Sequence, residues 1–351
     1  MINPKEKLNG KKILVTGGAG FIGSHLCDHL LAYGARVICF DNLSTGSQRY
    51  VDSKKGDKDF TFILGDANKF ENLEPVFADH KPDYVFHYAA LVGVRRTEED
   101  PMGVLNDIEG IKHISKLSSK HGVKKIVYAS SSEVYGNQKE LPFSEESSYH
   151  DTRHPYALVK ATGESYFKSY SAITGIPVTS LRFFNTYGPR QASTPYGFVV
   201  GIFISQVLSD LRPTIFRDGT QTRDFTYIDD NVEAAIQALL NDKANGQALN
   251  IGTGVETSVL ELANKIVAIS GKELKPNLLR HINLVETQRR VADASKLKNL
   301  VGYQYQTSLV DGLKITHDWY RDNPEFILTE QNSDQYTYED YERKVWKSKE
   351  E

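Results

Sequence analysis

The sequence predicts an α/β protein built on a doubly wound parallel sheet, with a smaller α/β lobe toward the C-terminus. Three observations lead to that class. Short β-branched runs alternate with longer amphipathic stretches through the first half of the chain, a glycine-rich turn separates the first run from the first stretch, and the patterning changes after Asn185.

Taken in order, the strands of the main sheet are expected at 12–16, 36–40, 61–64, 84–87, 125–130 and 178–183, each short and rich in Val, Ile, Phe or Tyr. Between them 24–33, 102–121 and 156–174 carry the longer period of amphipathic helices. Gly175 followed by Pro177 closes the last helix and opens the next strand. Beyond Asn185 short strands at 214–216 and 248–251 mix with helices at 231–240 and 259–270, read here as a second lobe. The expected division is 1–184 for the main domain, 185–325 for the lobe and 326–351 for an acidic, aromatic tail.

With 351 residues and 40% apolar side chains, the chain is long enough to bury roughly three quarters of its unfolded surface without staples. Its two cysteines, Cys27 and Cys39, read as small core residues. Forty-two basic against 45 acidic side chains leave a net charge of −3, which argues against nucleic acid or an anionic membrane as partner. The longest apolar run, 198–208, is broken by Gly201, Ser205 and Gln206 and falls short of the roughly 18 residues of a membrane span. Residues 1–12 lack the apolar core of a signal peptide, so a cytoplasmic location is expected. No His, Cys, Asp or Glu spacing resembles a metal site, and none is expected.

The segment 13–25 reads ILVTGGAGFIGSH, with Gly17, Gly20 and Gly23 between strand and helix. Such a turn lets the backbone approach a pyrophosphate, packs the new helix closely on the sheet and aims its N-terminal N–H groups at the phosphates. This makes the first domain Rossmann-type. Asp41, at the end of the second strand, is placed to accept both ribose hydroxyls and to repel a 2′-phosphate; no Arg follows directly, so NAD is favoured over NADP. Asp66, in the run Gly65-Asp66-Ala67, is placed to meet the adenine amino group. Either aspartate also reads as an ordinary strand-end turn residue. Phe21, Ile22, Asn42, Ala67 and Ala89 complete the expected cofactor contacts.

Tyr156 and Lys160 share one helix face, and an ammonium one turn away from a phenol lowers its pKa toward use as a general base. The fifth strand ends in Ser130-Ser131-Ser132-Glu133 at the carboxyl edge of the sheet, where open α/β folds bind ligands. Ser131 there is placed to hydrogen-bond the substrate hydroxyl whose proton Tyr156 takes. His87, in the fourth strand, reads as structural.

Gly17-x-x-Gly20-x-x-Gly23, Asp41, His87-Tyr-Ala-Ala90, Ser131 with Glu133-Val-Tyr-Gly136 and Tyr156-x-x-x-Lys160 resemble the extended short-chain dehydrogenases/reductases that act on nucleotide sugars. Leu181-Arg-Phe-Phe-Asn185, Tyr187-Gly-Pro-Arg190, Gln221-Thr-Arg-Asp-Phe225 and Gly252 continue the resemblance over about Lys11 to Tyr320. It implies a recycled NAD that oxidises C4 of a nucleotide-diphosphate hexose and then returns the hydride. It also implies that Asn185, Arg223 and Arg289 meet the substrate, the arginines by forked bonds to the diphosphate, with Arg290 an alternative to Arg289. Helices 102–121 and 156–174 match those that pair across a homodimer.

Three outcomes follow the 4-ketone. Hydride return to the other face gives a 4-epimerase, most often of a UDP-sugar; loss of water gives a 4,6-dehydratase; loss of carbon dioxide gives a UDP-glucuronate decarboxylase. Ser131 stands where the resemblance places the epimerases' Ser. Glu133 matches the dehydratase or decarboxylase base, and Ser132 departs from the dehydratase Asp. Arg95, or its neighbour Arg96, reads either as a contact to a C6 carboxylate or as a solvated charge. The epimerase is preferred, with the dehydratase and the decarboxylase following; a dinucleotide sensor without turnover is disfavoured because the glycines and the Tyr/Lys pair are all kept.

Overall fold

The computed structural model describes residues 2–147, 154–193, 198–279 and 287–327, with the side chains of all of these but Val94, Arg95 and Glu98. They fall into two compact units. One takes the described residues of 1–186, 222–256 and 287–307, the other those of 187–221 and 257–286 and from 308 onward. The second unit is therefore interleaved with the first, whereas a contiguous lobe over 185–325 was expected. The tail expected at 326–351 lies outside the described residues beyond Ile327.

The first unit holds a seven-stranded sheet, all parallel among the described pairings. Its strands are β1 (Lys12–Thr16), β2 (Arg36–Asp41), β3 (Phe60–Leu64), β4 (Tyr84–His87), β5 (Lys125–Ser131), β6 (Val178–Phe183) and β10 (Ala248–Ile251), in the order β10-β6-β5-β4-β1-β2-β3. The order reverses between β1 and β4, the switch point at which such sheets bind ligands. The register sets Leu14 beside Ile38 and Val85, and Leu249 beside Leu181. β10, assigned above to the lobe, is instead the seventh strand: Leu249 and Ile251 are fully buried, which an edge against β6 provides.

The helices of this unit are α1 (Pro4–Leu8), α2 (Phe21–Ala32), α3 (Gln48–Asp52), α4 (Phe70–His80), α5 (Val94–Glu99), α6 (Pro101–His121), α7 (Pro155–Thr174), α9 (Ile228–Leu240) and α11 (Ser295–Val301). One core joins Leu73, Val76 and Phe77 of α4, Ile111, Ile114 and Leu117 of α6 and Phe167 of α7 to Leu14, Ile38, Val85 and Ile126 of the sheet. α2 and α9 pack together, so α9 too belongs with the sheet and not with the lobe. α6 starts where the Asp100 side chain accepts from Gly103 N (2.7 Å) with Pro101 in the first turn, and it ends at Gly122, whose φ is +69°. A small sheet adds β7 (Asn185–Tyr187), β9 (Thr222–Tyr227) and β13 (Arg289–Arg290); β13 runs parallel to β9 with Arg290 opposite Arg223.

The second unit contains α8 (Val199–Leu208), β8 (Thr214–Phe216), α10 (Val259–Ser270), β12 (Asn277–Leu279) and α12 (Leu309–Asp322); β11 (Glu256–Ser258) precedes α10. β8 and β12 pair in parallel, and α10 packs on α8 and α12. No helix among the described residues is long and apolar enough to cross a membrane.

Candidate active site

The turn after β1 is built by backbone. Gly17 has φ +71°, its N–H donates to Phe40 O (2.8 Å), and Gly20 N donates to Gly17 O (3.1 Å). A Cβ at Gly23 would stand 2.1 Å from Gly17 O, so only glycine lets α2 begin this close to the turn. Gly20 is the N-cap of α2 and offers no side chain to its first N–H groups, which leaves them for an anion. A pyrophosphate fits this cradle. Phe21 and Ile22, the first two residues of α2, are half-buried.

Asp41 does more than the sequence indicated. Its Oδ2 accepts from Ala19 N (2.9 Å) and its Oδ1 from Leu43 N (2.7 Å), so the carboxylate also pins the glycine turn. Burial pushes its pKa up, and these backbone donors together with Gly20 N pull it back. The carboxylate keeps acceptor capacity for a ribose hydroxyl. Asn42 is exposed, its Oδ1 accepting from Ser44 N. Asp66 Oδ1 accepts from Asn68 N (2.9 Å), and Ala67 is buried beside it.

Ala89 N and Tyr88 N both donate to Thr16 Oγ1 (3.2 Å each), so the Thr16 hydroxyl proton goes to His87 Nδ1 at 2.8 Å. The His87 ring then carries its proton on Nε2. Burial, reinforced by the Lys160 charge, lowers its pKa to about 3 and keeps it neutral.

Ser131 closes β5, and α7 brings Tyr156 and Lys160 over it. Lys160 is 4% exposed; its Nζ donates to Ala129 O (2.7 Å) and lies 5.6 Å from the Tyr156 ring centroid. Burial lowers its pKa to about 8 against the pull of Asp107 and Glu164. The sequence reading gave the ammonium the leading influence on the phenol. In the structure burial leads and raises the Tyr156 pKa, with Glu133 and Asp107 acting in the same direction and the hydrogen bond with Ser131 opposing them.

Glu133 and Ser132 are engaged by a residue named above only as an alternative. Arg290, buried, donates to Glu133 Oε2 (3.1 Å) and Ser132 Oγ (3.4 Å). Arg289, its neighbour on the strand, faces the other way: its side chain is 56% exposed and forks onto Glu256 at 2.9 and 2.5 Å. Alternation along β13 decides which arginine points inward, and two adjacent arginines carry no signal of that phase. Arg223 donates to the carbonyls of Thr222 and Thr287, and Asn185 begins β7 half-buried. The Arg95 side chain lies outside the described residues.

Beneath this site runs a buried polar chain that sequence reasoning missed. Arg182 forks onto Glu164 (3.0 and 2.7 Å), Ser130 Oγ donates to the same carboxylate, and Arg182 also donates to Tyr135 OH, which donates to Asn250 Oδ1 (2.6 Å). It binds β5, β6, α7 and the turn carrying Glu133 into one frame.

A glycine cradle for a dinucleotide beside a Ser, Tyr and Lys at the switch point defines an NAD-dependent enzyme of the short-chain dehydrogenase/reductase type. The chain belongs to the NAD-dependent epimerase/dehydratase family, whose model matches residues 13–252. It is 36% identical to a UDP-N-acetyl-α-D-glucosaminuronate decarboxylase of Bacillus cytotoxicus, over 89% of this chain and 98% of that one. It is 34% identical to a UDP-glucose 4-epimerase of Mycolicibacterium smegmatis, over 88% and 98%. The crystal structure of UDP-glucose 4-epimerase from Thermotoga maritima with UDP-glucose superposes with a TM-score of 0.83 at 33% identity, covering 89% of this chain and 99% of that one.

Proposed function

We propose that the chain inverts C4 of a UDP-hexose. The observation that carries this reading is the engagement of Glu133 and Ser132 by one buried guanidinium. A 4,6-dehydratase needs a base at C5 and an acid near C6; the candidate base Glu133 is ion-paired with Arg290, and Ser132 stands where the acid would be. A 4-epimerase needs neither. The UDP-glucose 4-epimerases among the relatives favour the same outcome.

When bound, NAD accepts the C4 hydride and returns it. Tyr156 takes the C4 hydroxyl proton and gives it back, Ser131 hydrogen-bonds that hydroxyl, and Lys160, anchored on Ala129 O, holds positive charge beside the phenol as it ionises. The glycine turn and Asp41 hold the cofactor, with Asp66 at the adenine. Arg223 and Asn185 serve the sugar diphosphate together with Arg290, which points inward where the expected Arg289 is turned to Glu256. The second reading, decarboxylation of a UDP-hexuronate, draws on the decarboxylase relative.

A two-fold dimer in the cytoplasm, where NAD and nucleotide sugars are both at hand, belongs to the same proposal. Leu158, Tyr166 and Ile173 of α7 are exposed at 56, 43 and 84%, as are Met102 and Leu105 of α6, which packs on α7; a second copy would cover them as a four-helix bundle.

The test is product analysis after incubation with NAD and UDP-glucose, UDP-N-acetylglucosamine or UDP-glucuronate. Unchanged mass with C4 inverted by NMR supports the epimerase. Loss of water or carbon dioxide redirects the assignment, and binding without product would make the chain a sensor.

A further inference from the structure

Tyr128 entered the sequence reading only as part of the fifth strand. Parallel register sets it beside His87, and His87 beside Thr16, so the three side chains line up on one face of β5, β4 and β1. They form a column. The Thr16 hydroxyl donates to His87 Nδ1 at 2.8 Å, and the imidazole stacks on the Tyr128 ring with 6.0 Å between centroids and 27° between planes. Lys160 Nζ stands over that same ring, 5.2 Å from its centroid, and over the Tyr156 ring at 5.6 Å. On α7, Tyr156, Lys160, Gly163 and Phe167 recur at helical spacing and share a face. A methyl at Gly163 would collide with the Tyr128 hydroxyl, and the Phe167 ring packs at 5.1 Å, so Tyr128 is buried and its ring is fixed against α7.

A buried ammonium needs partners that offset its lost hydration. Among the described residues the close ones are Ala129 O at 2.7 Å and these two rings. The carboxylates of the neighbouring helices are bound elsewhere: Asp107 accepts from Leu91 N (2.8 Å) and Asn68 Nδ2 (3.1 Å), and Glu164 is forked with Arg182. The negative face of an aromatic ring attracts a cation within about 6 Å of its centre, most strongly where water is excluded. We propose that Tyr128 is a positioning residue, whose ring face, backed by His87 and Thr16, holds the Lys160 ammonium in place beside Tyr156. The catalytic half of this statement rests on the assignment of Tyr156 and Lys160 under Proposed function; the pairing of ring and ammonium does not.

The surroundings give the effect a direction. Lys160 faces Asp107 from α6, Glu164 and Tyr156 from α7, neutral His87 from β4 and Tyr128 from β5. Attraction to a ring face favours the protonated amine. Burial already lowers the Lys160 pKa to about 8, and weakening the face of Tyr128 lowers it further. The alkaline limb of kcat against pH, where the ammonium is lost, then moves down by about half a unit to one unit.

Two variants separate the electrostatics of the face from the shape of the ring. Tyr128→Phe keeps both; Tyr128→pentafluorophenylalanine keeps the outline of the ring and makes its face repel a cation. The expected result is an alkaline limb that stays in place in the Phe variant, whatever its rate, and moves down with the fluorinated ring. A limb that the fluorinated ring leaves unmoved, or that Phe moves as far, would reduce Tyr128 to a packing residue and overturn the proposal.

A thermal-melt cycle at neutral pH reads the pairing without activity. In the parent, the fluorinated ring should lower Tm relative to Phe. In the Lys160→Met background, where the ring faces no cation, that difference should vanish. An equal difference in both backgrounds refutes the pairing, whatever reaction the enzyme performs. A difference confined to the parent, with no turnover on any UDP-sugar, upholds the pairing and discards the epimerase reading.

Discussion

Alanine at Gly23 and alanine at Gly20 should do different damage. A methyl at Gly23 meets Gly17 O at 2.1 Å and Gly18 Cα at 2.9 Å, and reaching the 3.4 Å of an ordinary contact moves the start of α2 by about 1.3 Å. Replacing glycine by alanine inside a helix gains up to about 1 kcal/mol, while overpacking against backbone that cannot yield costs about 3 kcal/mol, so the variant should lose about 2 kcal/mol. The N–H groups of the first turn shift with the helix. Losing two charge-assisted hydrogen bonds to phosphate, at about 1.5 kcal/mol each, weakens NAD on the order of 100-fold. At Gly20 a methyl comes no closer than 3.2 Å to Gly17 O, and φ −76° with ψ 179° suits any residue. Gly20→Ala should keep its stability within about 1 kcal/mol and still lose NAD affinity, because the methyl occupies the approach to the pyrophosphate. Urea unfolding and calorimetry with NAD measure the two quantities separately. Wild-type unfolding of Gly23→Ala, or wild-type NAD affinity in Gly20→Ala, would refute the division of labour between the two glycines.

Tyr156→Phe should bind UDP-sugar normally and lose roughly two to four orders of magnitude in turnover; steady-state rates beside sugar-binding calorimetry decide it. Glu133→Gln keeps an acceptor for Arg290, and an epimerase should lose about tenfold or less; a loss of two orders or more, with solvent deuterium no longer entering C5, would mark Glu133 as a C5 base. His29 is partly buried, which alone would lower its pKa, but the carboxylates of Asp229 and Glu233 beside it outweigh that and raise it to about 9. Its contribution to stability is therefore complete below the ordinary pKa of about 6.5 and fades as the pH rises through about 9. Melts from pH 6 to 10 should show that loss in the parent and a flatter slope in His29→Asn.

The residues that announce themselves in the sequence are those whose chemistry fixes their spacing. Gly17, Gly20 and Gly23 must stand where strand becomes helix, and Tyr156 and Lys160 must share a helix face, so a local window reveals both. Two helices escape the sequence reading although their period is there. α4 buries Leu73, Val76 and Phe77 and α12 buries Leu313, Thr316, His317 and Tyr320 at helical spacing, but Pro75 inside α4 and the polar Thr316 and His317 of α12 mask it. β10 was legible as a strand but not as a partner of β6, because its neighbour lies more than sixty residues back along the chain. The inward choice of Arg290 over Arg289 depends on strand phase, and nothing local marks Asp107, rather than Glu109, as the acid of α6 that accepts from Leu91 N.

The interleaved order of the chain has a consequence for its birth on the ribosome. β6 is complete at Phe183, but the strand that covers it ends at Ile251. At roughly 5–20 residues per second, the nascent sheet waits on the order of ten seconds with an open parallel edge. Asn250, which accepts from Tyr135 OH and donates to Phe143 O, arrives with that late strand, so the frame under the catalytic residues locks only then. A chain released near residue 186 carries the whole glycine turn together with Ser131, Tyr156 and Lys160. It nonetheless lacks the strand that seals the sheet, and its bare edge is a template for pairing with another unfinished copy.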